Sequence, residues 1–487
     1  MELSICVTSD LHGRLDRFEE IAQHIKQLKP DILIDNGDFL QGSLTTYYYD
    51  YVEPGPHPMI AAANSLGYDA AVFGNHEFNY PLADVENMRK QCKFPWIACN
   101  IGPFASPYII KEVNGKKIAV IGVVTEATPR WDEHQYTSTL TFSEAYTAAS
   151  YWVQHVKETE KADIVILSYH GGFTKHPKTG VPFAEDNGEN EGNRLLAIPG
   201  IDILITGHQH LEICTIINGI PIIQPGSNGS CFGHITYNPD KEDAHTVKLH
   251  YVTSSSECYS NDVEKWLTEK IGYTDEDFRY TGMLSSRLKN HPFVDFMHDL
   301  QLEATGAQLS VVELRYHEHG GFTGDITVKD VLKNFSRPNT LKVLKLTGAD
   351  IKEALEQCAA VFAVDAAGAI DFALNVHPGL LAPYVYDFWG GLDYELVISE
   401  PVGCRVKNMR YNGKPITNDM IFTVTMNSYR ATGADFPVFR GKPVLSETKE
   451  ILPELMIKYV KKHSPLSHRQ HGHFQVTTIP SGELSIK

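Results

Sequence analysis

At 487 residues, with 42% hydrophobic residues and no low-complexity tract, the chain is too long for a single core and fits two domains. A formal net charge of −17 disfavours long nucleic acid, which asks for a basic groove, but not a small anion held beside bound cations. The longest apolar runs are strand-length, short of the ~18–20 residues of a membrane span, so no membrane partner is expected.

The opening stretch, MELSICVTSDLHG, has no basic segment ahead of its apolar residues, and Asp10 and His12 interrupt them, unlike a secretory leader. The cysteines lie scattered without Cys-x-x-Cys spacing, which suits reduced, buried thiols. Both features lead to the expectation of a cytoplasmic protein. Leu3–Thr8 predicts a buried strand that ends at Asp10 and His12. Residues 15–29 have helical spacing, with Phe18, Ile21, Ile25 and Leu28 on one side. Residues 31–35 predict a second strand running into Asn36, Gly37 and Asp38. A helix is predicted over 60–66 and a strand over 70–73, the latter running into Gly74, Asn75 and His76. The pattern returns at 163–168, ahead of His170, and at 202–206, ahead of His208 and His210. Near-continuous apolar runs of this kind mark strands covered on both faces. Asn114 with Gly115, and Asn218 with Gly219, read as hairpin turns, so the sheets are expected to be mixed.

After about residue 253 the pattern changes. Residues 254–289 are polar and charged and read as a linker between a first domain, 1–253, and a second, 290–487. In the second, 292–305, 328–334 and 349–362 predict helices, and 341–346, 394–398 and 421–426 predict strands. It contains no cluster of Asp, His and Asn like those of the first half, so binding rather than metal ligation is expected of it.

Each polar group of the first half follows a strand, at the edge where open α/β sheets bind ligands. The residues are Asp10, His12, Asp38, Asn75, His76, His170, His208 and His210. Carboxylate, imidazole and amide oxygen together suit Mn, Zn, Fe, Co or Ni better than soft-metal cages do. Two divalent ions held there would polarise a phosphoryl group, activate water and stabilise the leaving oxygen. Asp38 is the natural bridge, because a carboxylate offers two oxygens. One motif alone is weak, since a lone Asp-x-His commonly caps a turn. Five in series, each after a strand pattern, are hard to obtain by accident. Nothing like an activated Ser or Cys triad accompanies them.

The segments DLHG, NGD, GNHE, HGG and GHQH resemble the signature of calcineurin-like metallophosphoesterases. Nearly the whole chain is similar to their bacterial 5′-nucleotidase/2′,3′-cyclic-nucleotide 2′-phosphodiesterase branch. The resemblance implies an α/β fold: a four-layer α/β/β/α N-terminal sandwich and an α/β substrate-binding C-terminal domain. It implies one metal on Asp10, His12, Asp38 and His210, and another on Asp38, Asn75, His170 and His208. His76 would meet the phosphate and the leaving oxygen. Nucleotidases of the family read GNHEFD where this chain reads GNHEFN, and Asn79 resembles the cyclic-nucleotide subgroup, as do DNGDFLQGS and YYYDY. Family members are usually exported, which the start of this chain does not match.

In the second half, PNTLKVLKLTGADIKEALE and MNSYRATGADF resemble the nucleotidase C-terminal domain, in which two aromatic rings sandwich the base. Matching residue by residue assigns those rings to Tyr386 and Tyr429, and a sugar-hydroxyl acceptor to Asp435, although GADF stands where GGDG is usual. Arg315 and Arg430 are candidates for substrate-binding arginines. The implied activity is dinuclear-metal hydrolysis of nucleotide phosphoesters, first as a 2′,3′-cyclic-nucleotide phosphodiesterase/3′-nucleotidase. A 5′-nucleotidase or nucleotide-sugar pyrophosphatase is the alternative within the class, and a non-catalytic nucleotide sensor is the alternative outside it.

Overall fold

A computed structural model describes residues 2–479 apart from 132–135, 183, 185–186, 242–244, 254–258, 315–318, 336, 374–385 and 434. The chain forms two compact units, Met1–Val263 and Glu264–Lys487. No helix among the described residues is long and apolar enough to cross a membrane.

Two six-stranded sheets build the N-terminal unit. The first contains β1 (Leu3–Thr8), β2 (Ile32–Asp35), β3 (Ala70–Val72) and β4 (Trp96–Ile97). The second contains β5 (Tyr108–Val113), β6 (Lys116–Val124), β7 (Ile164–His170), β8 (Ile203–Ile205), β9 (Glu212–Ile217) and β10 (Ile220–Pro225). Strands β11 (Cys231–Tyr237) and β12 (Thr246–Tyr251) return to the first sheet, whose order is β12-β11-β1-β2-β3-β4. The second sheet has the order β5-β6-β7-β8-β10-β9.

Strand alternation decides the layers. Leu3, Ile5 and Val7 of β1 join Ile118, Val120, Ile164 and Ile166 of the other sheet in one apolar cluster, so the sheets pack face to face. The opposite face of the first sheet, with Cys6 and Leu33, is covered by Phe18, Ile21 and Ile25 of the helix Leu15–Leu28 and by Met59 and Ile60 of Pro58–Leu66. Ala149, Val153 and Val156 of the helix Ala145–Glu158 cover Val165 and Leu167 in the same way. The result is the four-layer α/β/β/α sandwich, with each buried Leu, Ile or Val contributing about 1.5–3 kcal/mol. Both Asn-Gly pairs make antiparallel hairpins, β5 with β6 and β9 with β10. At these turns Asn114, Gly115, Asn218 and Gly219 all have positive φ, the type I′ geometry that suits strand twist.

The C-terminal unit is organised on a five-stranded sheet in which Leu309–Val312 lies between Phe388–Gly390 and Ile421–Asn427. Thr327 and Thr347 begin the helices Val328–Asn334 and Gly348–Ala360 with reciprocal capping boxes to Asp330 and Asp350. The expected linker differs from what is observed. Residues 264–289 belong to this unit: Lys270–Thr274 pairs antiparallel with Gly324–Thr327, and Phe278 stacks on Phe322. Widely spaced anchors, Ile271, Phe278 and Tyr280, bury this stretch, and its polar surroundings mask them in the sequence.

Candidate metal centre

Strands β1, β2 and β3 run parallel, as do β6, β7 and β8, so the carboxyl ends within each set share one edge of their sheet. There the structure brings together the polar residues singled out in the sequence. Asp10 Oδ1 is 3.5 Å from His210 Nε2, which is 3.1 Å from His12 Nε2. Asp38 Oδ2 is 3.3 Å from His170 Nε2. Asn75 Oδ1 lies 3.2 Å from His170 Nε2 and 2.8 Å from His208 Nδ1. Two groups result, Asp10–His12–His210 and Asp38–His170–His208, and within each a donor atom from every residue lies within 4.8 Å of the others. Asp38 also accepts the His76 N–H at 2.8 Å, and the His76 ring centroid is 5.3 Å from that of His12.

The local backbone is bent to make this possible. Asp10, His12, Asp38, His208 and His210 have φ of 51°, 48°, 54°, 69° and 59°, a left-handed region rare for side chains other than glycine. At Gly74 a Cβ would meet Asp38 Oδ1 at 2.2 Å, so the close approach of the two loops requires glycine. Glu77, within GNHE, clamps the same loops: Oε2 accepts the N–H of Gly74 at 2.7 Å and of Asp38 at 3.1 Å, and Oε1 accepts that of Phe39 at 2.9 Å. Burial, reinforced by the Asp38 charge, pushes Glu77 up to about 7.

The donor chemistry fits divalent cations. His12 Nδ1 donates to the Gln41 carbonyl at 2.7 Å, because a carbonyl can only accept, and this leaves the Nε2 lone pair in the site. Burial pushes His12 down to about 4, so it remains the neutral imidazole that a metal needs. His170 Nδ1 donates to the Asn36 carbonyl at 2.7 Å in the same way. Burial alone would lower His170, but Asp38 and Asp10 carry it up to about 10. Burial would raise Asp38, yet His170 and His76 hold it well below the usual carboxylate range. The carboxylates thus draw positive charge into the site, and a divalent ion supplies it without using the lone pairs for protons. His76 Nδ1 lies 2.5 Å from the Asn79 amide oxygen, which fixes the ring, and Nε2 on its other side lies 3.9 Å from Asp38 Oδ2.

The residues matched to a nucleotide in the C-terminal unit fare differently. Tyr386 is 0% exposed; its hydroxyl donates to the Arg287 carbonyl, and its ring meets Phe362 and Phe388 edge-on. This corrects the expectation for Tyr386, since no face of it is open to a base. The aromatic-rich segment around it gave the match, but Tyr386, two residues ahead of the strand Phe388–Gly390, has its side chain enclosed in the core. Tyr429 is half-buried on the one-turn helix Ser428–Ala431. Arg430, beside it, is buried: Nη2 lies 3.0 Å from both Glu313 Oε2 and Asp387 Oδ1, and Nη1 lies 3.2 Å from Asp435 Oδ2. Burial pushes Asp387 up to about 7 even with Arg430 alongside. Arg430 therefore organises acids, and Asp435 keeps a partly exposed carboxylate. Arg315 lies outside the described residues. This cluster was not legible in the sequence, because Glu313, Asp387 and Arg430 stand just beyond strands that meet only on pairing.

Residues 3–212 match the family model of the calcineurin-like phosphoesterases, and residues 270–441 match that of the 5′-nucleotidase C-terminal domain. The trifunctional nucleotide phosphoesterase protein YfkN of Bacillus subtilis is 24% identical over 100% of this chain, which spans only 40% of that protein. A 2′,3′-cyclic-nucleotide 2′-phosphodiesterase/3′-nucleotidase of Yersinia enterocolitica is 25% identical, with 99% of this chain and 89% of the relative covered. Among solved structures, a putative 5′-nucleotidase from Staphylococcus aureus, in complex with alpha-ketoglutarate, has a TM-score of 0.87 and 28% identity over 98% of this chain and 100% of that one.

Proposed function

From the premise that the chain carries a calcineurin-like phosphoesterase domain followed by a 5′-nucleotidase C-terminal domain, we propose that it hydrolyses nucleotide phosphoesters at a dinuclear metal centre, with 2′,3′-cyclic nucleotides and 3′-nucleotides as favoured substrates. The observation that carries the reading is the pair of donor groups around Asp10 and Asp38 with His76 beside them. Asp10, His12, Asp38 and His210 would hold one ion, and Asp38, Asn75, His170 and His208 the other. Mn, Zn, Fe, Co and Ni suit these donors. When bound, the ions polarise the phosphoryl group and activate water.

The chain's own residues do the rest. Asp38 sets the spacing, with one oxygen toward His170 and the other on the His76 N–H. His76, steered by Asn79, offers Nε2 to a phosphoryl or leaving oxygen. Asn79 brings no charge, so His76 is protonated less readily here than it would be beside an aspartate. A strained cyclic diester leaves more readily than a monoester and depends less on a proton donor, which supports the cyclic substrates. Tyr429 and Asp435 are the residues of the C-terminal unit proposed to meet base and sugar. Work in the cytoplasm is part of the proposal, supported by free thiols buried at Cys6, Cys231 and Cys358. The likeness to the Staphylococcus structure favours 5′-nucleotidase as the second reading. A panel of 2′,3′-cyclic AMP, 3′-AMP, 5′-AMP and a nucleotide sugar, assayed with the metal-loaded chain, tests this. The highest kcat/KM is expected for the cyclic diester, and a maximum at 5′-AMP would transfer the assignment to the second reading.

A further inference from the structure

The ligand imidazoles are not held alike. His12 and His170 turn their far nitrogen, Nδ1, to backbone carbonyls. His208 is reversed: Nδ1 lies 2.8 Å from Asn75 Oδ1 within the ligand group, and Nε2 lies 3.0 Å from the carboxylate oxygen Oε1 of Glu189. The backbone around Glu189 is tied down. Its carbonyl accepts from Thr125 Oγ1 at 2.8 Å and from the Tyr169 hydroxyl at 3.0 Å, and its N–H donates to Asn187 Oδ1 at 3.0 Å. Tyr169 immediately precedes the ligand His170, so the strand that presents one ligand also anchors the carboxylate behind another. Trp131 covers the His208 ring, with centroids 5.2 Å apart and planes at 34°.

The two proposed metal positions also differ in charge. One has Asp10 to itself and shares Asp38. The other shares Asp38 and otherwise has imidazoles and the neutral amide of Asn75. We propose that Glu189 is a positioning residue for the second metal: it takes the Nε2–H of His208, fixes the tautomer whose Nδ1 lone pair faces the ion, and supplies behind that ring the negative charge that Asn75 lacks. The inference rests on the two-ion reading above. Carboxylates placed behind ligand imidazoles set ring orientation and raise ligand basicity, and losing them typically weakens metal binding by about 10–100-fold.

The test uses the full chain, stripped with a chelator and titrated with Mn(II) or Zn(II), with bound ions counted by elemental analysis and affinities read by chelator competition. Glu189→Ala is expected to keep one ion at wild-type affinity and to bind the other about 10–100-fold more weakly. Glu189→Gln, nearly the same shape and still able to accept from Nε2–H, falls between wild type and Glu189→Ala. It keeps the test informative if Glu189→Ala does not fold, because charge alone then distinguishes it from wild type. Wild-type affinity for both ions in the folded variants overturns the proposal. Equal weakening of both ions overturns it too, since Glu189 would then support the unit as a whole. A wild-type chain that binds fewer than two ions overturns the dinuclear reading and this role with it, before any variant is made.

Discussion

Around Arg430 three carboxylates gather on a guanidinium that the chain itself supplies, whereas Asp38 meets His170 and His76, shares a donor group with His208, and has no arginine or lysine among its described contacts. Both gatherings form at strand ends and both are buried, so desolvation penalises charge in each. In the C-terminal unit the countercharge is permanent, and the cluster is part of the fold. In the N-terminal unit it must come from solution, so that cluster can change its charge state by loading. A buried acid pair with an arginine at its centre reads as scaffold, and one with only imidazoles around it reads as a receptor for cations.

The largest effect that would break this contrast lies at Asp38. Asp38→Ala is expected to lose both ions and almost all turnover, because in the proposed two-ion site this carboxylate serves both ions. Two ions per chain in the folded variant would show that it bridges nothing. Next comes Arg430→Met, which removes the described countercharge of Glu313 and Asp387 and is expected to cost about 3–5 kcal/mol in urea unfolding. Metal content should not change. Loss of metal with stability intact would mean that the arginine cluster is not scaffold.

The two tyrosines sharpen the comparison within the C-terminal unit. Tyr429→Ala is expected to raise KM for nucleotides by an amount equivalent to about 1–3 kcal/mol of stacking and to spare a small aryl phosphate. Tyr386→Ala should instead lower stability and affect both substrates through folding, since its ring is enclosed. A nucleotide-selective KM effect at Tyr386 and none at Tyr429 would reverse the two roles. The smallest effect is expected at Asn79. A carboxylate there favours protonated His76, so Asn79→Asp should carry the alkaline limb of kcat/KM to higher pH and raise monoesterase relative to cyclic diesterase activity. With metal content equal, an unchanged pH profile and an unchanged ratio would remove Asn79 from the substrate argument.

What the sequence made legible follows from locality. Asp10, Asp38, Asn75, His170 and His208 each stand within a few residues of an apolar strand, so their chemistry and their place at a sheet edge could be read together. The Asn-Gly hairpins are equally local. Gln41, Asn36 and Glu189 were not legible, because two act through backbone carbonyls and the third comes from a loop with no strand pattern of its own. Glu77 stood inside a recognised motif, but its three backbone donors come from two separate loops. Arg430 could be named but its task could not, since Glu313 lies more than a hundred residues earlier and reaches it only across paired strands. Tyr386 shows the converse failure, a local match whose side chain is enclosed in the core.

The left-handed backbone at five of the proposed ligand positions sets a conflict between durability and chemistry. Each such residue holds about 1–3 kcal/mol of conformational strain that the surrounding structure must over-determine. Glycine would relieve it at no steric cost, but it has no donor to offer. Replacing Asp10 or His210 by glycine would remove function while easing the backbone, so at these positions a more robust chain is a less capable one. A search for thermostable variants that selects on folding alone would therefore drift toward erasing the centre, and only selection that also demands loaded metal would hold these five residues in place.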